Sequence, residues 1–201
     1  MSSVRRVGVF GGSFDPVHAG HLIMAEYVAD RLRLDEVVFV PAYRPAHKRR
    51  RAIASFRHRT SMLRTAIQGN PRFGISTVEG ARGGVSFTVD TLESMSRTGT
   101  SLYFIMGEDS LAEFHTWLDP DRIVRLARLA VVPRGAEPLR AAPRLRAAWR
   151  KRVVLLDPPR IDLSSTEIRR RLRSGRSVRY CVPDRVLSFI RRHGLYGTAR
   201  G

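Results

Sequence analysis

Short apolar runs alternate with stretches of helical period along most of this 201-residue chain. Runs rich in Val, Ile and Phe fall at 7–10, 37–40, 73–78, 102–106, 129–132 and 153–156, each of a length suited to a buried strand. Between them the spacing predicts helices over 21–32, 56–67, 88–96, 110–114 followed by 121–126, and 139–149. Strand and helix in alternation imply βαβ units and an α/β architecture with a doubly wound, mostly parallel sheet, whose ligands bind beyond the carboxyl ends of the strands. The tail departs from the pattern: 164–172 and 184–192 read as two consecutive helices, the second introduced by Pro183 and stopped by Gly194. The expected organisation is one domain, a core over about 4–160 and a helical part over about 161–201.

Composition narrows the class. No run of about 18 apolar residues suggests a membrane span, no charged-then-apolar leader precedes the first strand, and the single Cys181 has no intrachain partner, so a cytoplasmic, reducing setting is expected. The formal charge of +18 invites a nucleic-acid reading. The details weaken it: the only lysines are Lys48 and Lys151, arginines are scattered from Arg5 to Arg200, and aromatics do not alternate with basic residues as a stacking platform requires. An arginine-rich surface that steers small phosphates fits better. Two loop-like segments, "RPAHKRRRAIAS" (44–55) and "RGAEPLRAAPRLR" (134–146), interrupt the pattern, and the first reads either as a solvated charge run or as a phosphate-facing segment.

The stretch "VFGGSFDPVHAGHL" (9–22) carries the most chemistry. Gly11 and Gly12 after the first strand allow close backbone approach to a ligand, Pro16 delays the helix, and a helix start near Ala19 or Gly20 offers an anion site. His18 and His21, one helical turn apart, project to the same place, where two imidazoles can stabilise charge developing on phosphorus. No Cys or carboxylate at ligand spacing accompanies them, so no metal is assigned to the pair. Neither G-x-G-x-x-G nor the G-K-S/T ending of a P-loop is present.

The run "GGSFDPVHAGH" resembles the signature of the H-x-G-H nucleotidyltransferases, and "LSSTEIRRRL" (163–172) resembles their I-S-S-T-x-I-R motif. Read on its residues, the second motif is a capping box, Ser164 with Glu167, that defines another helix start with Arg169 early on it. Three further stretches are similar to the bacterial nicotinate mononucleotide adenylyltransferases: "PAYRPAHKRR", "FTVDTL" (87–92) and "FIMGEDSLAEFHTW" (104–117), with "VPDRVLSFIRRHGLY" (182–196) matching their closing helix. The resemblance implies a Rossmann-like nucleotidyltransferase fold and transfer of the adenylyl group of ATP, carried with Mg²⁺, to nicotinate mononucleotide. It also implies His18 and His21 as catalytic residues and Gly11, Gly12, Ser13, Phe14, Gly107, Asp109, Ser164, Ser165, Thr166 and Arg169 as ATP-binding. Lys48, Thr88, Trp117 and Arg134 are implied for the acceptor. The implied partners are the two small-molecule substrates, with no nucleic acid and no membrane, and a homo-oligomer left open.

Structural roles compete for several of these residues: Trp117 as core, Thr88 and Asp109 as helix caps, Asp15 as a turn and capping residue, and His58, His115 and His193 as surface or structural. Ala42, Ala46 and Phe87 stand where the family carries asparagine, proline and tyrosine. Another H-x-G-H enzyme, such as the pantetheine-phosphate adenylyltransferase, and a basic nucleic-acid-binding protein are the rival readings.

Overall fold

The computed structural model describes residues 4–44, 54–133, 146–159 and 161–198. Six strands, β1 (Arg5–Gly12), β2 (Glu36–Pro41), β3 (Phe73–Ile75), β4 (Thr100–Gly107), β5 (Ala127–Val132) and β6 (Val153–Leu155), pair in the order β3-β2-β1-β4-β5-β6. Every pairing is parallel. The chain winds outward from β1 to β3, then returns to place β4 on the other side of β1. The order therefore reverses between β1 and β4, which opens a crevice at their carboxyl ends.

Period-two alternation sorts the sheet's side chains into two layers. Val7, Val9, Val38, Val40, Leu102, Phe104, Met106, Leu129 and Val131 face one core, with α4 (Thr88–Met95) and α6 (Pro120–Leu126) over it. Phe10, Val37, Phe39, Tyr103, Ile105, Ala130 and Val132 face the other, beneath α1 (Ala19–Arg31), α2 (Phe56–Ile67), α8 (Ser165–Arg173) and α9 (Asp184–Arg192). Both consecutive C-terminal helices thus lie on the same face as α1, their Ile168, Leu172, Val186 and Ile190 entering its core.

Two helices, α2 and α9, keep their expected bounds. Three segments differ from the expectation. The third apolar run stops at Ile75, because β3 is an edge strand with three paired residues, and the chain then turns into α3 (Val78–Arg82). Gly80 hides this helix from a propensity reading, yet a Cβ there would lie 2.3 Å from the Phe56 ring, so the close α2–α3 approach demands glycine. The 110–114 stretch is split into α5 (Glu108–Ala112) and a 3₁₀ turn over Phe114–Thr116. Of the helix expected over 139–149, α7 (Ala147–Arg150) falls within the described residues. It is anchored by Trp149, 1% exposed, whose indole N–H donates to Asp121 at 2.6 Å.

Leu129 sits fully buried at the centre of one layer, paired in register with Phe104 on one side and Val153 on the other. Leu129→Ala is expected to cost about 2–5 kcal/mol. Urea unfolding followed by circular dichroism checks this, with the midpoint falling and the slope unchanged.

Candidate active site

The turn after β1 is seated by aromatic packing. Phe14 has a left-handed backbone, φ 48°, and its side chain is 1% exposed. Its ring lies edge-on to Phe10 at 5.5 Å, Phe39 at 5.7 Å and His21 at 5.1 Å. A Cβ on Gly12 would approach that ring to 3.0 Å, so the glycine makes room for the phenylalanine as well as for a ligand. Asp15, next in the turn, is also buried, at 1% exposure. Its Oδ1 accepts from the Ala54 N–H at 3.1 Å and from the Tyr196 hydroxyl at 2.7 Å. The carboxylate is therefore an internal anchor of the turn.

His18 occupies the N-cap of α1 in an extended conformation and is 4% exposed. Its ring lies against that of His21 at a tilt of 35°, with centroids 3.7 Å apart. The His18 backbone N–H donates to His21 Nδ1 at 3.2 Å. A ring nitrogen that accepts carries no proton, so the neutral His21 is fixed as the tautomer with its N–H on Nε2. The helix start is a narrower anion site than its position suggests, because the Ala19 N–H is taken by the Cys181 carbonyl at 2.8 Å. By contrast, the Phe14 N–H has no acceptor among the described residues.

The facing wall is the start of α8. Ser164 Oγ caps the helix by accepting from the Glu167 N–H at 3.2 Å, as the motif predicts. The reciprocal half of the box is replaced: Glu167 grips Arg170 through two bonds of 2.6 and 2.7 Å, and that contact holds its carboxyl below the usual range. Arg169 reaches back across the cleft, donating to the Asp15 carbonyl at 2.6 Å and to Thr166 Oγ1 at 3.2 Å, with Asp15 Oδ2 3.7 Å away. Ser165 Oγ donates to the Pro16 carbonyl at 3.0 Å. Two sequence motifs about 150 residues apart thus form one wall-to-wall unit.

Twelve of the expected site residues line a single cleft of about 320 Å³ over the carboxyl ends of β1 and β4: Gly11, Gly12, Ser13, Phe14, His18, His21, Gly107, Trp117, Ser164, Ser165, Thr166 and Arg169. Asp109 does not line it. It lies exposed in the first turn of α5, whose N-cap is Gly107, so the capping role is not its own either. Thr88 heads α4 away from the lining, and Phe87 holds the cap position there. Trp117 serves as core and wall together: its ring packs on Phe104 at 5.9 Å and Phe114 at 5.5 Å and borders the cleft. Its backbone N–H is not a free donor for an acceptor, since Phe114 carbonyl takes it at 3.1 Å; the indole N–H has no partner among the described residues. Lys48 and Arg134 lie outside the described residues.

Two features escape the sequence reading. A side pocket of about 50 Å³ opens beside the histidines, walled by Ile23, Met24, Val132, Pro133, Pro158, Pro159, Ile161 and Leu163. Its apolar residues come from distant segments that no local pattern joins. The second is the polar network behind the turn, in which the Tyr196 hydroxyl bonds Asp15 and the buried Arg59 guanidinium offsets its charge from beyond ion-pair distance. One signal for it existed: Arg59 falls on the stripe of α2 that also presents Met62 and Leu63, where a solvated arginine does not belong.

A parallel sheet in this order, with a histidine pair and an arginine facing each other over the strand reversal, defines a nucleotidyltransferase-type phosphate site. The chain belongs to the cytidylyltransferase-like family, whose model matches residues 9–171. Within that family it is similar, nearly end to end, to proteins named probable nicotinate-nucleotide adenylyltransferase. The one from Thermomicrobium roseum is 47% identical, covering 96% of this chain and 92% of that protein. The one from Thermus thermophilus is 45% identical, covering 95% and 99%. The fold is shared with the Plasmodium falciparum nicotinic acid mononucleotide adenylyltransferase complexed with NaAD, at a TM-score of 0.78 and 17% identity over 98% of this chain and 100% of that one.

Burial, and then the neighbouring Asp15, push the Tyr196 phenol well above its ordinary value. A phenol that resists ionisation in the fold contributes stability below its unfolded pKa of about 10, and that contribution is lost as pH rises past it. Tyr196→Phe is expected to lose about 1.5–3 kcal/mol at pH 8, the worth of a hydrogen bond to a charged group. Above about pH 10 its stability should fall less steeply than that of the unsubstituted protein, by about one proton in the slope. Urea titrations from pH 8 to 11 on both proteins measure this.

Proposed function

We propose that the protein transfers the adenylyl group of ATP to nicotinate mononucleotide, forming nicotinate adenine dinucleotide and releasing pyrophosphate, a step in making NAD. The observation that carries the reading is the close His18–His21 pair lining one cleft with Arg169 at the strand reversal, in a chain whose near-full-length relatives bear that activity in their names. The acceptor's phosphate oxygen attacks the α-phosphorus, and the bond from that phosphorus to the pyrophosphate oxygen breaks. An anionic phosphate needs no general base, so the protein's task is positioning and charge neutralisation.

The turn residues Gly11, Gly12, Ser13 and Phe14 would approach the phosphates with their backbone, while His21 Nε2–H and His18 meet the charge growing on the transferring group. Ser164, Ser165, Thr166 and Arg169 would hold the departing pyrophosphate end, and Gly107 with Asp109 the ribose. On the acceptor side Trp117 borders the cleft and its indole N–H is the first candidate donor, with Thr88, Lys48 and Arg134 as further candidates. Mg²⁺ would enter on the triphosphate and neutralise its charge. The imidazole, hydroxyl and guanidinium groups of the cleft are ligands for anions, and the described residues offer no cluster of three His, Cys, Asp or Glu that would hold an ion by itself.

His21→Ala removes a charge-stabilising donor and is expected to lower kcat by about 10² or more with a modest change in the KM for ATP. Pyrophosphate release in steady state measures this, and near-normal turnover by the folded variant would overturn the role. For the acceptor, an amide in place of the carboxylate brings its own N–H groups against a donor and leaves polar groups unpaired, which costs about 1–3 kcal/mol. A preference for nicotinate over nicotinamide mononucleotide of at least tenfold in kcat/KM is therefore expected. Pyrophosphate release with each of these and with pantetheine phosphate decides it: equal rates with acid and amide refute the pocket assignment, and activity with pantetheine phosphate alone refutes the acceptor.

A further inference from the structure

Arg59 is the single buried arginine among the described residues, at 1% exposure. It sits in the first turn of α2, behind the phosphate turn and outside the cleft lining. Its guanidinium spans three main-chain carbonyls from three segments: Nη1 donates to Ser13 at 2.7 Å, Nε to Ala54 at 3.0 Å and Nη2 to Tyr43 at 3.4 Å. Burial lowers its pKa, and Asp15 is the first of the groups that offset this.

The contact with Ser13 has a directional consequence. In a trans peptide the carbonyl and the following N–H point in opposite directions. A Ser13 carbonyl held against Arg59 therefore turns the Phe14 N–H away from Arg59, in a peptide whose two residues both line the cleft. That N–H has no acceptor among the described residues, and the left-handed backbone of Phe14 is one that a β-carbon disfavours, so the peptide needs an outside hold. We propose that Arg59 is a positioning residue for adenylyl transfer, fixing the Ser13–Phe14 peptide so that the Phe14 N–H donates to a phosphate oxygen of ATP. The inference rests on the adenylyl-transfer reading. A planar fork is required because the three carbonyls stand apart; an ammonium supplies the charge at one point only.

Arg59→Lys keeps a cation beside Asp15 while losing the fork. The direct test is the ¹⁵N-labelled full-length protein titrated with tripolyphosphate, watching the Phe14 amide. In the unsubstituted protein this resonance should move downfield on saturation; in Arg59→Lys the displacement should fall by at least half and the affinity by about tenfold. In kinetics, kcat/KM for ATP should drop at least tenfold while the KM for nicotinate mononucleotide stays within threefold, a split that general loosening would not produce. A Phe14 amide that stays in place in the unsubstituted protein overturns the proposal, whether or not the variant folds. So does a folded Arg59→Lys with the same amide displacement, or with equal losses toward both substrates. An unsubstituted protein whose Phe14 amide responds but which releases no pyrophosphate with ATP and nicotinate mononucleotide would instead sink the adenylyl-transfer reading.

Discussion

A carboxylate withdrawn from water constrains the turn after β1 and the elements packed around it. Asp15 is buried, and an ion in that position is tolerated only when its oxygens and its charge are answered from within. Oδ1 accepts from the Ala54 N–H before α2 and the Tyr196 hydroxyl beyond α9, Oδ2 has the Arg169 guanidinium of α8 at 3.7 Å, and Arg59 on α2 adds positive charge without touching the carboxylate. Removing any one leaves the others facing an imperfectly compensated charge. The turn, the start of α2 and the C-terminal helices are thereby held in one arrangement by a group that never touches the cleft. The sheet supplies the crevice, because its strand order reverses between β1 and β4, and the buried carboxylate fixes what closes over it.

The sheet's strands were legible because they are buried on both faces and read as unbroken apolar runs; β1, β2, β4 and β5 extend the expected segments by only one or two residues at an end. The two phosphate motifs were legible because their residues are local: Ser164 and Glu167 lie one turn apart, as do His18 and His21. What the sequence could not display is pairing at a distance. The Trp117 N–H is consumed by a 3₁₀ turn and the Ala19 N–H by the Cys181 carbonyl, neither of which follows from spacing. Thr88 sits inside a recognisable motif but heads its helix away from the cleft. Glu79 gave no local sign of its role: it accepts from Thr91 Oγ1 at 2.7 Å and from the Tyr43 N–H at 3.3 Å, tying α3 and α4 to the exit of β2.

The arginine-rich composition resolves into ordinary duties. Arg5, Arg122 and Arg146 pair with Glu36, Glu93 and Asp121 at the surface, where such pairs contribute about 0–1 kcal/mol each. Arg152 caps the end of α6 by donating to the Val124 and Arg125 carbonyls, and Arg171 donates to the Ser177 carbonyl. Arginine is thus used here as a long-reach binder of backbone oxygen, inside and outside the fold. The excess positive charge left over suits a protein whose ligands are polyphosphates.

The bond between Asp15 and Tyr196 joins residues 181 positions apart. Translation proceeds at about 5–20 residues per second, so the phosphate turn leaves the ribosome roughly 10–40 s before the phenol that completes its anchor. During that interval the carboxylate has no Tyr196 and, for most of it, no Arg169, and water is its natural partner. The first motif made is consequently among the last parts to reach its finished form, and nascent chains can carry the whole nucleotide-binding signature while still lacking a rigid place to put a nucleotide.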